Sequence, residues 1–519
     1  MKRGRSGEEL LEERERDLER RGVQGVASMA DEKSIRRVLT TLEKRMNENL
    51  ELRLKFPQNP EKFMDSEVSL DEEIKNLQSL ATSPQHYPLL IRLEGVPLLL
   101  SLITHENTSI TRDVTLVLSE LLDGDSVEDR LGEAVMLVES LVENKVVGLL
   151  EGVLQRCSEG ERKEEEEADA VFHTLTLLEN MIDLKPEVAE AVKDSSILRW
   201  LLKRVESGES DSNRTYSSEI LAILLQTSDA NKKRILELSG VETLLQAIAK
   251  FRKADPKDSE EEEYLENLFD ALCAVAMVKE SKEELLKAEA MDLMVIMMKK
   301  KRTARLPAMK VCNFALTDCA FLCEQFVTSL GLGPLFGFFM GKGFDKGSKK
   351  RREQGVEMQE HVISILANLL QRLAPGNKRN RVLAKFAEQD CEKLDRLVEL
   401  WHEYSDKLGG VASLKRLNQS GDGAEEEYLD LLEGGLYCLQ QLALINANLW
   451  SSGVESMQKR LVFVFQQYGY EMCDISTLLK IQFKFVYELQ GSNASSEGTD
   501  AKAKARLEKL IGIMDDYKN

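Results

Sequence analysis

The residues of this 519-residue chain whose types could do chemistry are its eight cysteines, its five histidines and a few clustered glycines. Cys312, Cys319 and Cys323 have the closest thiol spacing, and thiolates there could ligate a metal or act as nucleophiles. A structural zinc site draws on closely spaced cysteine pairs or paired histidines. The sequence has no C-x2-C pair, and His86, His105, His173, His361 and His402 are dispersed. Most cysteines sit in apolar helical stretches, the pattern of small buried hydrophobes in a reducing compartment. Gly331, Gly333 and Gly337 have some of the spacing of a dinucleotide-binding loop, but no strand-turn-helix pattern surrounds them. Gly337 to Lys342 is one residue short of a P-loop and lacks the following Ser or Thr. There is no nucleophile elbow, Cys–His signature or kinase motif set. The expectation is a non-enzymatic chain with no catalytic residues, metal ligands or cofactor.

Charge is the remaining signal. Acidic runs occur at Glu164, Glu165, Glu166 and Glu167, at Glu260, Glu261, Glu262 and Glu263, and at Glu425 to Glu427, each just before an apolar helical stretch. Acids in a first helical turn complement the macrodipole by some tenths of a kcal/mol each. Four in succession exceed that need and suggest an acidic rim for Lys/Arg-rich segments. Basic runs at Lys299 to Arg302 and at Lys349, Lys350, Arg351 and Arg352 read as solvated loops or as import signals. The second run is expected in an accessible loop from Gly341 to Gly355, and the opening MKRGR is a further import candidate. A formal net charge of −20 argues against wrapping nucleic acid, which needs a concentrated basic surface. Protein partners are expected instead.

The elements that carry these residues repeat. Short Leu-rich helices starting at Gly95, Val146, Ile197, Gly240, Ala290 and Leu332 step by 42 to 51 residues, and each leads through a polar loop to a longer apolar helix. That period matches armadillo and HEAT units. A third short helix, Pro88 to Glu94, precedes Gly95 and favours three-helix armadillo units. A helix apolar nearly all round, as Val114 to Leu122 reads, must be sandwiched between neighbours. Asn180, Asn267 and Asn368 recur at similar positions of the long helices, where armadillo asparagines often hold an extended peptide backbone.

The fold class expected is therefore all-α: an armadillo/HEAT-type superhelical solenoid with helical N- and C-terminal caps. Residues 1–30 read as a charged, disordered segment, 31–83 as the cap, 84–390 as the repeat array, 391–490 as closing helices, and 491–519 as linker and terminal helix. Within the cap, Asn59 is expected to N-cap a helix at Pro60, and Ser69 to start another. No apolar run approaches the roughly 20 residues a bilayer needs, and the N-terminus lacks the apolar core of a secretory signal.

The segment Glu51 to Glu67, ELRLKFPQNPEKFMDSE, resembles the N-terminal signature of the β-catenin-like protein 1 family. The likeness continues collinearly through Ser218 to Gln226, Glu266 to Cys273, Glu360 to Leu370 and Glu392 to Leu400, and thins after about Gly409. The first 30 residues lack the long basic-then-acidic extension common in that family. The resemblance implies a nuclear armadillo-like protein of the spliceosome, associated with the NineTeen complex and its Myb-related component. It further implies binding to Lys/Arg-rich segments of splicing factors, with homodimers possible. The alternative expectation is a nuclear-import or signalling adaptor without a splicing role.

Overall fold

A computed structural model describes residues 32–157, 165–206, 211–300, 302–342, 349–418, 424–489 and 499–517. The segment 1–30, most of the 491–499 linker, Glu164, and the side chains of Lys349 to Arg352 lie outside the described residues. Two compact units divide after Leu238. Every element among the described residues is helical.

The first unit opens with two cap helices, α1 (Glu32–Lys55) and α2 (Met64–Asn76). Ile35, Leu39 and Leu42 of α1 are buried, as are Leu70 and Ile74 of α2. The buried Asn49 side chain donates to Ser66 Oγ at 2.9 Å and ties the two helices together. The starts within the cap differ from expectation. Pro60–Lys62 is a single 3-10 turn whose Asn59 makes no side-chain cap. Ser69 lies inside α2, spending its hydroxyl on the Asp65 carbonyl at 2.9 Å.

Three-helix units follow: α3 (Tyr87–Arg92), α4 (Gly95–Ile103) and α5 (Thr108–Leu121); then α6 (Leu131–Glu143), α7 (Val146–Arg156) and α8 (Glu165–Leu184). The next helices are α9 (Val188–Val192), α10 (Ile197–Glu206), α11 (Ser212–Thr227) and α12 (Asp229–Glu237). Side-chain caps fix where the long helices begin. Asn107 accepts from the Ser109 amide at 2.9 Å, and Asp211 accepts from the Arg214 amide at 3.0 Å.

The second unit holds α13 (Gly240–Ala249), α14 (Ser259–Ala276), α15 (Ser281–Lys287), α16 (Ala290–Met298), α17 (Arg305–Leu316), α18 (Ala320–Thr328), α19 (Leu332–Phe339) and α20 (Lys349–Arg372). It closes with α21 (Asn377–Ala387), α22 (Glu392–Lys407), α23 (Tyr437–Trp450), α24 (Glu455–Gln467), α25 (Met472–Phe483) and α26 (Thr499–Asp515). Two expectations are corrected here. The Gly341–Gly355 loop ends early, because Lys349 to Arg352 form the first turn of α20. Among the closing helices expected over 391–490, the stretch from Ala424 to Trp450 is not continuous but breaks at Gly435, whose φ of +110° only glycine adopts readily.

The corner between the first and second helices is sharp: 86° between Pro84–Arg92 and Gly95–Ile103, and 94° between Ala320–Thr328 and Leu332–Phe339. Glu94, Lys145, Glu289 and Leu330 make such corners in left-handed conformations, with φ from 54° to 65°. Each non-glycine residue there costs about 1–2 kcal/mol, which burial of the flanking helices must offset. The glycines that follow serve packing. A Cβ on Gly95 would lie 2.4 Å from Leu90 Cδ1, and one on Gly331 2.5 Å from the Phe326 ring.

Lys282, at the start of α15, shows how third helices are tied in the second unit. Its ammonium donates to the carbonyls of Ala276 (2.7 Å), Phe314 (2.6 Å) and Ala315 (3.1 Å). These close α14 and α17, where last-turn carbonyls lack helical partners and the dipole is negative. Burial pulls its pKa down to about 8, so the amine is still mostly charged at neutral pH. Replacing it with Met strands buried acceptors at about 1–3 kcal/mol each. Lys282→Met is therefore expected to lower unfolding stability by about 2–3 kcal/mol at pH 7 in denaturant titrations. Because the folded pKa lies below the ordinary lysine value, protonation opposes folding. The wild-type advantage should widen as pH rises from about 8 towards 10.

Candidate functional site

In the first unit the long helices stand side by side: α2 packs on α5, α5 on α8, and α8 on α11. Ile110, Val114, Val117, Leu118 and Leu121 of α5 are buried, as are Val171, Leu175, Leu178 and Ile182 of α8 and Ile220, Leu221, Leu224 and Leu225 of α11. Sandwiching leaves each helix one open stripe at helical spacing. On α5 the stripe is Ser109, Arg112, Leu116 and Glu120. On α8 it is Asp169, Phe172, Thr176, Glu179 and Asp183, and on α11 it is Ser212, Tyr216, Glu219, Ile223 and Gln226.

Contacts between helices show that the stripes share one face. Ser109 Oγ donates to Glu166 at 2.7 Å, bridging α5 and α8. The Phe172 and Tyr216 rings lie 5.2 Å apart at 40°, and the Tyr216 hydroxyl donates to Glu179, bridging α8 and α11. Burial raises the Glu179 pKa and the neighbouring Asp183 charge adds to the rise, against the Tyr216 hydrogen bond. The face is acidic because α8 carries six carboxylates and no Lys or Arg. Arg112 on α5 spends its Nε on Asp113 at 2.7 Å, and Arg214 on α11 is buried.

The sequence-predicted residues distribute as follows. Glu165 and Glu166 are exposed and Glu167 half-buried, all in the first turn of α8 beside this face. Asn180 is taken up in bonding, donating to the Ser119 carbonyl at 2.9 Å. In the second unit Glu261 belongs to the start of α14: its amide donates to Asp258 at 2.9 Å and its carboxylate accepts from the Lys257 amide at 2.9 Å. Glu262 and Glu263 are exposed, and Glu260 and Asn267 half-buried. Asn368 is buried on α20, accepting from the Asp318 amide at 3.4 Å and donating to the Ser364 carbonyl at 3.0 Å. The basic run after Met298 holds loops together, with Lys300 donating to the Arg252 carbonyl at 2.9 Å and Arg302 pairing with Asp255 at 3.1 Å.

Phe172, Tyr216, Glu179 and Asp183 escaped the sequence reading. Their signal is the open stripe itself: Phe172, Thr176, Glu179 and Asp183 fall at helical spacing in FHTLTLLENMID, and Tyr216 falls in the matching stripe of the next long helix. Elsewhere, burial pushes the Cys273 and Cys438 thiols up to about 12 and raises Cys312 and Cys323 as well, so neutral thiols prevail. Among the described residues no group of three His, Cys, Asp or Glu side chains could hold a metal ion.

The family described as catenin-beta-like, Arm-motif containing nuclear matches residues 10–480. Beta-catenin-like protein 1 of Rattus norvegicus is 37% identical over 503 residues, covering 94% of this chain and 86% of that protein. The beta-catenin-like protein 1 homolog of Schizosaccharomyces pombe is 30% identical over 489 residues, covering 92% and 84%. A chain from a structure concerning the interaction between cadherin and beta-catenin aligns at 15% identity with a TM-score of 0.45, over 94% of this chain and 93% of that one.

Where α2 meets α5, the half-buried Asp71 and the buried Asp113 carboxyls share one ammonium. Lys75 Nζ sits 2.6 Å from Asp71 and 3.1 Å from Asp113. Burial and the Asp113 contact raise Asp71 to about 6. Asp113, despite burial, is held below the usual range by hydrogen bonds from Asp71, Arg112 and Lys75. Asp71 therefore binds its proton more tightly folded than unfolded, and that stabilisation is full below about pH 4 and lost as pH rises through 6. Asp71→Asn, which keeps a donor towards Asp113, is expected to exceed wild type by about 1–2 kcal/mol at pH 7.5. The gap should close towards pH 4 in paired thermal-unfolding measurements.

Proposed function

Since the chain belongs to the catenin-beta-like family of Arm-motif nuclear proteins, we propose that it is a nuclear, non-enzymatic scaffold that supports pre-mRNA splicing by docking basic segments of splicing factors. The observation that carries this reading is the charge of the α5–α8–α11 face. Asp169, Glu179 and Asp183 line its middle helix, which has no cation of its own, and Glu165 and Glu166 extend it at one end. A Lys/Arg-rich segment laid across the face meets the α8 carboxylates of Asp169, Glu179 and Asp183. Long-range attraction speeds the encounter, and the less polar positions Leu116, Phe172 and Ile223 give the segment's stems something to pack on. Glu262 and Glu263, exposed at the start of α14, offer a second acidic set in the other unit. In this reading residues 31–83 cap the array, 84–390 present the binding surface, and 391–490 close it.

The tagged full chain and a Glu165→Lys/Glu166→Lys/Asp169→Lys variant should be compared by capture from nuclear extract followed by mass spectrometry. At about 0.1 M salt, splicing factors with basic segments are expected on the wild type and depleted several-fold on the variant. The difference should shrink at about 0.5 M salt, where screening reaches within a few ångströms. Import carriers in place of splicing factors would make the chain an import adaptor. Splicing factors retained equally by the variant would remove this face from the account.

A further inference from the structure

Phe172 is 42% exposed in the middle of a stripe whose other members on α8 are polar. A phenyl ring left in water on an acidic surface forgoes a large apolar area. Its neighbours define what could cover it. The Tyr216 ring lies 5.2 Å away at 40°, so the two rings form an open, angled wall. The Tyr216 hydroxyl occupies Oε2 of Glu179, which leaves Oε1 to accept from a ligand, and Asp183 stands one helical turn further along. Two ring faces beside two carboxylates suit a flat cation with several donors.

The geometry points to Phe172, Tyr216 and Glu179 as a pocket for one arginine side chain of a docked segment. The inference rests on the acidic-face reading above and names the residue type that face selects. A guanidinium stacks on the rings while its fork of N–H groups reaches Glu179, and the Asp183 charge further along α8 adds attraction from a distance. A lysine ammonium is a compact, strongly hydrated charge without a planar face, so it gains from the acids but much less from the wall. Nucleic acid and anionic lipid are repelled by the same carboxylates. Arginine binding would also draw the Glu179 carboxyl back towards its ordinary pKa and release its proton. Affinity should therefore rise with pH across the raised range of that group.

The test uses the full chain and three labelled peptides in which glycine alternates with arginine, lysine or citrulline, read by fluorescence anisotropy. Arginine peptide is expected to bind about tenfold more tightly than lysine peptide, with citrulline weakest. Phe172→Leu keeps an apolar body without a ring face, and Glu179→Gln keeps an acceptor for Tyr216. Each should erase the arginine preference by lowering arginine binding towards that of lysine, whose own binding also falls where the Glu179 charge is lost. Glu165→Gln/Glu166→Gln should weaken both basic peptides in proportion. Equal binding of arginine and lysine by wild type, or a preference that survives Phe172→Leu and Glu179→Gln, overturns the pocket and leaves the acidic face standing. Failure of every basic peptide to bind overturns both.

Discussion

The structure depends on a burial constraint that no single element can satisfy. The long third helices are apolar around most of their circumference, so each is stable only with another long helix on either side. In the first unit α8 lies between α5 and α11, and the cap helix α2 covers the side of α5 that lacks a repeat before it. Everything else serves that stacking. The left-handed corners at Glu94 and Lys145 accept backbone strain so that the first and second helices turn sharply enough to pack against the long helices. In the second unit, Lys282 does by charge what packing does elsewhere, joining the carbonyl ends of α14 and α17.

The same constraint makes the acidic face. When three faces of a helix are buried, whatever the sequence places on the fourth is displayed in register with its neighbours. On α8 that fourth face is Asp169, Phe172, Thr176, Glu179 and Asp183. Asp169 and Asp183 are exposed while Glu179 is half-buried, and a half-buried charge interacts more strongly than a fully solvated one. Glu179 shows the cost, since burial already disfavours its ionised form and an incoming cation would relieve that.

The architecture was legible because its cause is periodic. Repeat starts at Gly95 and Val146 follow from Leu-rich runs, and both are helix starts in the structure. Pro88 to Glu94 reads as a third helix and folds as Tyr87–Arg92. Errors fell where local chemistry competes. Ser69 looks like a cap but bonds backward inside a helix, and Gly435 breaks a run whose residues otherwise favour continuity. The site was harder to read. Acidic runs stand out as strings, yet Glu261 is absorbed in starting α14, and the asparagines chosen as peptide clamps include Asn180 and Asn368, both bonded within the fold. The residues that face outward together are scattered singly through apolar sequence, and the Phe172–Tyr216 contact joins positions 44 residues apart on different helices. Pairing of that kind is a tertiary fact.

The central claim is that basic segments lie across α5, α8 and α11. The most direct measurement is photo-crosslinking of an arginine-rich peptide carrying a benzophenone, with attachment sites on the full chain mapped by mass spectrometry. The account predicts crosslinks at and beside Leu116, Phe172, Thr176 and Ile223, competed away by unlabelled peptide. Crosslinks concentrated on α6 and α7 of the same unit, or spread without preference, would contradict it.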